Sequence, residues 1–255
     1  HVGARMKRSE KFEKNLIKSV NRLSKKVKKG FGTKHNSVAR SMQMEIQYSM
    51  EFYIKGNEIE SWPELEDAFN SAIRATSEGK GLFVMGIVDR YISLFGGWEC
   101  CEESLLEVTS LESVDGWNYP EVIQTMVHFY SSNRKRNVDL ERFLLGQSDS
   151  TLLSKYARFC INGRWVDAEE VITKRAASSL EYALYNVKGR WPEGEEKIRK
   201  RRWLAQEYAF LILKDDWPEA DVYLDRGINL RNIKMRHPDY FADEPQFEEE
   251  TSRSL

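Results

Sequence analysis

Apolar residues near the start of the chain recur at helical spacing. Phe12, Leu16, Val20, Leu23 and Val27 fall at steps of 4, 4, 3 and 4, one stripe of an α-helix. Lys11, Lys14, Lys18, Arg22, Lys25, Lys26, Lys28 and Lys29 cover the other faces, and Gly30-Phe31-Gly32 ends the pattern. Residues 1–35 are therefore expected to form a basic amphipathic arm. The period then changes. Met42, Met44, Ile46, Tyr48, Met50, Phe52 and Ile54 are apolar at every second position, which predicts one face of a long strand or hairpin, although Met and Glu are poor strand formers. Ser61-Trp62-Pro63-Glu64 opens a helix, with Ser at the cap, Pro in the first turn and Glu three residues after the Ser. Leu65, Phe69, Ala72 and Ile73 lie along it. Gly79-Lys80-Gly81 and Gly96-Gly97 are breaks, and the run Leu82 to Val88 suits either a buried strand or a helix start. Glu102 to Leu111 and Pro120 to Tyr130 read as helices. Residues 36–135 are expected to form a small α+β or mostly helical unit.

From about residue 136 to 236 the pattern is a repeat. Tyr156-Ala157, Tyr182-Ala183 and Tyr208-Ala209 are separated by steps of 26 residues. Nine positions after each Tyr stands a Trp (Trp165, Trp191, Trp217). Thirteen after it stands an acid (Glu169, Glu195, Asp221), and sixteen after it an aliphatic (Ile172, Ile198, Leu224). The turns read Gly163-Arg164-Trp165-Val166-Asp167, Gly189-Arg190-Trp191-Pro192-Glu193 and Asp215-Asp216-Trp217-Pro218-Glu219. A fourth, degenerate copy is suggested by Val138-Asp139-Leu140-Glu141, which echoes Val166-Asp167-Ala168-Glu169 at an offset of 28. Each unit reads as a helix, a turn and a second helix starting at the Pro, where no amide hydrogen is lost. Such short helices are unstable alone in water and gain stability from stacked neighbours. The fold class expected is mainly α, with C-terminal helix-turn-helix repeats in a solenoid-like stack beside the smaller N-terminal unit.

The pattern Tyr-Ala followed by Gly-Arg-Trp-Pro-Glu-x-Glu resembles tandem helical repeats in uncharacterised proteins of tailed bacteriophages and other large viruses. The resemblance covers about 75 of the 255 residues and is closest over Tyr182 to Ile198. The first copy departs from it with Val166 in place of Pro, and the third with Asp215-Asp216 in place of Gly-Arg. It implies a viral origin and brings no catalytic residue with it.

Composition sharpens this picture. Apolar residues make up 41% and charged residues 31%, which suits a globular chain and excludes wholesale disorder. No run of 18 apolar residues exists, so no membrane span is expected. His1-Val2-Gly3-Ala4-Arg5 reads as an expression remnant, with Met6 the expected natural start. Cys100, Cys101 and Cys160 imply no disulfide framework, and a reducing cytoplasm, that of a host cell, is the expected compartment. Charge is unevenly placed. From Arg5 to Arg40 thirteen cations face only Glu10 and Glu13, a net of +11, which leaves −12 on the rest. Residues 237–255, with six acids and one Arg, form an acidic tail.

The candidate chemistry is that of binding. The arm's cations, from Lys11 to Lys29, could contact nucleic-acid phosphates, lie on an anionic membrane, or simply be the solvated face of a helix that packs on the body or on a partner. Trp165, Trp191 and Trp217 could form a binding ladder but more simply pack over the turns. Glu169, Glu195 and Asp221 could be a carboxylate row but more simply serve the positive helix ends. Lys197, Arg199, Lys200, Arg201 and Arg202 form a second basic cluster that reads as a salt-bridged face beside Glu193, Glu195 and Glu196. Nucleophile-base motifs, phosphate loops, dinucleotide fingerprints and metal-ligand spacings are absent from the sequence, so no cofactor, metal or catalytic residue is expected. The reading is a non-enzymatic viral or phage interaction protein whose repeats dock a protein partner and whose basic arm contacts nucleic acid. Its rival is a nucleic-acid-processing enzyme with a site in residues 36–150, to be recognised by acids converging in a pocket.

Overall fold

A computed structural model describes residues 9–26, 34–78, 82–110, 120–226 and 228–242. These residues form α1 (Glu10–Ser24), α2 (Lys34–Asn57), α3 (Pro63–Arg74), α4 (Met85–Phe95), α5 (Cys101–Ser110), α6 (Pro120–Asn133) and α7 (Val138–Gln147). They continue with α8 (Ser150–Tyr156), α9 (Val166–Ile172), α10 (Ala176–Tyr182), α11 (Pro192–Ile198), α12 (Arg202–Tyr208) and α13 (Leu230–Arg236). The protein is thus mainly α. Among the described residues the sole β pairing is an isolated bridge between Trp217 and Val222. The chain divides into two compact units, His1–Asn162 and Gly163–Leu255. None of the described helices is long and apolar enough to cross a membrane.

In the first unit, α1 starts where the Ser9 side chain accepts the amide of Phe12. The predicted apolar stripe is real, but it is not a free arm. Leu16, Val20 and Leu23 are buried, and α1 packs on α2 and α3. The strand expected over residues 42–54 is corrected to the helix α2. An apolar residue at every second position, wound at 100° per residue, splits into two i,i+4 rows about 200° apart. One row, Ile46, Met50 and Ile54, is buried together with Tyr53. The other, Met44, Tyr48 and Phe52, is 45%, 62% and 67% exposed. The Met and Glu residues that weakened the strand reading are good helix formers. The run Leu82 to Val88 resolves into a short 3-10 turn leading into α4. Arg90 on α4 reaches back to Glu51 on α2 at 2.7 Å, and with Lys55 it holds the Glu51 carboxyl down to about 2.

The Tyr-Ala copies share one local design. In α8, α10 and α12 the α-helix ends at the Tyr, and a five-residue π-turn follows: Ala157–Ile161, Ala183–Val187 and Ala209–Leu213. Each closes on a left-handed residue, Asn162, Lys188 or Lys214, with φ of 54°, 57° and 55°. Trp165, Trp191 and Trp217 then cap the next element. The third copy departs from the others. Pro218 starts only a 3-10 turn, because the Trp217 amide donates to Val222 O and Asp221 turns left-handed.

Candidate interaction surfaces

The residues that recur do so because they build the joints of the fold. The Tyr182 hydroxyl accepts the Trp165 backbone amide at 2.5 Å and donates to Glu169 at 2.9 Å. The Tyr208 hydroxyl likewise accepts from the Trp191 amide at 2.8 Å and donates to Glu195 at 3.0 Å. A helix start leaves amides without intrahelical partners, and a carboxylate near them is favoured by the dipole. The Tyr satisfies one such amide and fixes that carboxylate. The residue before each Trp adds a two-pronged ion pair, Arg164 to Glu169 and Arg190 to Glu195. Arg164 first, then the Tyr182 hydroxyl, hold the Glu169 carboxyl below its ordinary value. Burial pushes the phenols of Tyr182 and Tyr208 above theirs.

The same clamp occurs in the first unit. The degenerate copy has it in full: the Asn137 amide donates to Tyr156, Tyr156 faces Glu141 at 3.3 Å, and Arg136 grips Glu141 with two bonds of 2.9 Å. It also occurs where the sequence reading found no repeat. The Trp62 amide donates to Tyr91, which donates to Glu66, and the Ser9 amide donates to Tyr53, which donates to Glu13. Tyr130 keeps half of it, donating to Glu102 at 3.1 Å but accepting from the Asn137 side chain at 2.8 Å. All six tyrosines are buried. A signal for these copies was present, since Tyr53, Trp62, Pro63, Glu64 and Glu66 have the same spacing as Tyr182, Trp191, Pro192, Glu193 and Glu195. Trp165, Trp191 and Trp217 are 7%, 1% and 3% exposed, so they are turn packing and not a ladder open to ligands. The rings of Trp191 and Trp217 lie 4.9 and 5.1 Å from those of Tyr182 and Tyr208.

What lies outside this frame is available for recognition. On α1, Lys11, Lys14, Lys18, Arg22 and Lys25 are exposed at steps of 3, 4, 4 and 3, one row about 21 Å long, and Lys26 is exposed beyond it. Lys14 is paired with Glu10 at 2.5 Å. Lys28 and Lys29 lie outside the described residues. On α2, the row Met44, Tyr48 and Phe52 presents three large apolar side chains to solvent.

One polar constellation has chemical potential. A cavity of about 220 Å³ is lined by Arg40 and Gln43 of α2, Asp89 of α4, and Glu121 and Gln124 of α6. Beside it, His128 Nε2 lies 3.2 Å from Ser93 Oγ, and His128 Nδ1 lies 3.5 Å from Asp89 Oδ1. The order of contacts is that of a nucleophile, base and orienting acid. The Ser93 hydroxyl, however, donates to the Asp89 carbonyl at 2.9 Å, one turn back in the same helix. Amides in a helix interior are spent on the i−4 carbonyls, so they cannot converge as an oxyanion hole. Among the described residues no group of three or more His, Cys, Asp or Glu side chains is placed to hold a metal. Burial pushes the thiols of Cys101 and Cys160 up to about 12 and about 11, which makes them poor nucleophiles at neutral pH. No protein-family model, curated protein or solved structure matches the chain.

Proposed function

We propose that this protein is a non-enzymatic interaction scaffold, its clamped helical repeats docking a protein partner and its α1 cations contacting nucleic acid. The observation that carries the reading is the exposed row of Met44, Tyr48 and Phe52. Scattered surface apolar residues need no explanation, but three large ones in line on one helix form an apolar stripe of the kind a partner helix covers. The opposite row of the same helix is buried, so the exposed one is not needed to hold α2 in place. A partner's amphipathic helix would cover it with its own apolar face. The α1 row supplies phosphate contacts, which carry no sequence information and weaken steeply with salt. The setting we propose, on the resemblance of the repeats, is a bacteriophage or other virus acting in the host cytoplasm. The test is nuclease-treated affinity capture from infected and uninfected lysates, with Tyr48→Ser/Phe52→Ser beside the unaltered chain. A partner retained by both forms equally would refute the α2 surface.

A second reading rests on Asp89 and Glu121 meeting in the polar cavity with Arg40, an arrangement suited to an enzyme that processes nucleic acid. Its test is hydrolysis of labelled single- and double-stranded oligonucleotides with added divalent metal. Activity that survives Asp89→Asn and Glu121→Gln would remove it.

A further inference from the structure

The second basic cluster is not simply a salt-bridged face. It forms one wall of a groove in the Gly163–Leu255 unit, lined by Lys174, Arg175, Lys197, Lys200 and Arg201 together with Trp203. The groove has a volume of about 540 Å³, and its lining includes no carboxylate. The cations are ordered by the repeat. Lys174 and Lys200 stand one 26-residue step apart, as do Arg175 and Arg201, so consecutive copies place the same pair on the same edge. All five are exposed. Lys200 is paired with Glu196 at 2.7 Å, whereas Lys174, Lys197 and Arg201 have no carboxylate within ion-pair distance among the described residues. Trp203 is 48% exposed, unlike the buried tryptophans of the turns. The Arg236 guanidinium lies over its ring at 5.3 Å and is itself paired with the buried Glu207. That pairing fixes a cation against the indole and holds the ring in place.

We propose that this groove binds single-stranded nucleic acid, with the repeated Lys-Arg pairs on successive phosphates and Trp203 stacked against a base. Cations alone would accept any polyanion, including an acidic peptide. An exposed indole at the edge of a carboxylate-free groove favours a ligand that alternates negative charge with flat aromatic faces. A duplex satisfies the cations but keeps its bases stacked on one another and out of reach of Trp203. The near-neutral chain as a whole does not oppose this, because phosphate responds to the local field within about 8–10 Å at ordinary salt.

The site shares no residue with α1, and the experiment distinguishes the two. The full chain carrying Lys11→Gln, Lys14→Gln, Lys18→Gln and Arg22→Gln is titrated against a fluorescein-labelled dT15 oligonucleotide by anisotropy, from about 50 to 300 mM salt. Binding with quenching of tryptophan emission is expected. The log of Kd should rise by about 3 per decade of salt if four or five phosphates are neutralised at ~0.7 each. Trp203→Leu should weaken binding roughly 5- to 150-fold, the range of one base stack, while Trp203→Phe stays within a few-fold of the parent. Lys174→Gln/Arg201→Gln should weaken it with helicity unchanged. The proposal is overturned if the parent fails to bind, if Trp203→Leu and Trp203→Phe bind alike, or if a duplex of the same length or a poly-glutamate peptide binds as tightly. If instead only the form with native α1 binds, the α1 reading survives and the groove does not.

Discussion

Removing one hydroxyl tests whether the clamp holds the fold. Tyr182→Phe keeps the ring, its packing and its contact with Trp191, and deletes only the oxygen that bridges the Trp165 amide and Glu169. The amide is then left at a buried helix start without an acceptor, a loss of about 1–3 kcal/mol. The Glu169 carboxylate loses one donor but keeps Arg164, so the charged bond contributes nearer the low end of its ~1.5–3 kcal/mol range. Because the two losses share an atom they do not simply add, and we expect about 2–4 kcal/mol in total. Tyr48→Phe is the control. Its ring is 62% exposed, and the change should stay within about 0.5 kcal/mol. The assay is urea denaturation of the full chain followed by far-UV circular dichroism, with slopes compared to confirm that stability alone has moved. A cycle with Glu169→Gln should give a coupling of at least ~1 kcal/mol. A cost for Tyr182→Phe below ~1 kcal/mol, or no coupling, would mean that the recurring bonds accompany the packing and do not support it.

Three further outcomes are expected. Leu23→Ala should cost about 2–5 kcal/mol, and removal of residues 1–32 should destabilise the first unit, since α1 is docked there; a truncated chain of unchanged stability by denaturation would refute this. Gly97→Ala should cost more than ~2 kcal/mol by the same assay, because φ is +126° and a Cβ would lie 2.7 Å from the Phe129 ring; a change under ~1 kcal/mol would count against that geometry. Alkali should unfold the protein cooperatively. Burial first of all raises the phenols of Tyr91, Tyr130, Tyr156, Tyr182 and Tyr208 above their ordinary value of 10. A phenol that holds its proton more tightly when folded stabilises the fold fully below pH 10, and this is lost as pH rises past it. Most of the phenolate absorbance should therefore appear only as circular dichroism is lost, and full ionisation of all eleven tyrosines in a still helical protein would contradict the burial.

The repeat was legible wherever its period was constant. Three copies 26 residues apart put the same residues at the same offsets; the first two carry the Tyr-clamped joint at Glu169 and Glu195, while at the third the Trp217 amide turns to Val222 instead. The fourth showed as an echo because Val138, Asp139 and Glu141 kept their places although Trp became Asn137; Arg136, which completes its clamp, was not part of that echo. The copy at Tyr53 was not seen because the distance to the next one changes, although Trp62, Pro63, Glu64 and Glu66 keep their offsets; at Tyr91 the signature itself is lost, since Cys100 stands nine positions after it. Period is a property of the intervening helices, whereas the signature belongs to the joint. The misreading of α2 has a different cause. Alternation at period two also satisfies a helix with apolar rows on two opposite faces, and nothing in the sequence says that one of those rows will remain in solvent. The charge of α1 suggested a detached arm, yet Leu16, Val20 and Leu23 were already in line for a core. In the groove, the cluster from Lys197 to Arg202 was visible, but Lys174 and Arg175 were not joined to it. A step of 26 residues would have placed them beside Lys200 and Arg201.

The clamp also explains how helices of very different length share one architecture. The sequence separation between the Glu and the Tyr that bonds it is 13 residues for Glu169 and Glu195 and 15 for Glu141. It rises to 25 for Glu66, 28 for Glu102 and 40 for Glu13. Closing a flexible loop costs only about 0.6 kcal/mol more for each doubling of its length. Passing from 13 to 40 residues, under two doublings, therefore costs about 1 kcal/mol, and much of that segment is helical and contributes contacts of its own. A joint that contributes about 2–4 kcal/mol tolerates that difference. Insertions between Glu and Tyr can accordingly accumulate without opening the joint, and the longest of them should be where this chain departs most from its own repeat. That interval, Glu13 to Tyr53, carries both most of the α1 cation row and the α2 apolar row. The two surfaces proposed for recognition in the first unit thus sit in the one segment where the frame constrains the sequence least.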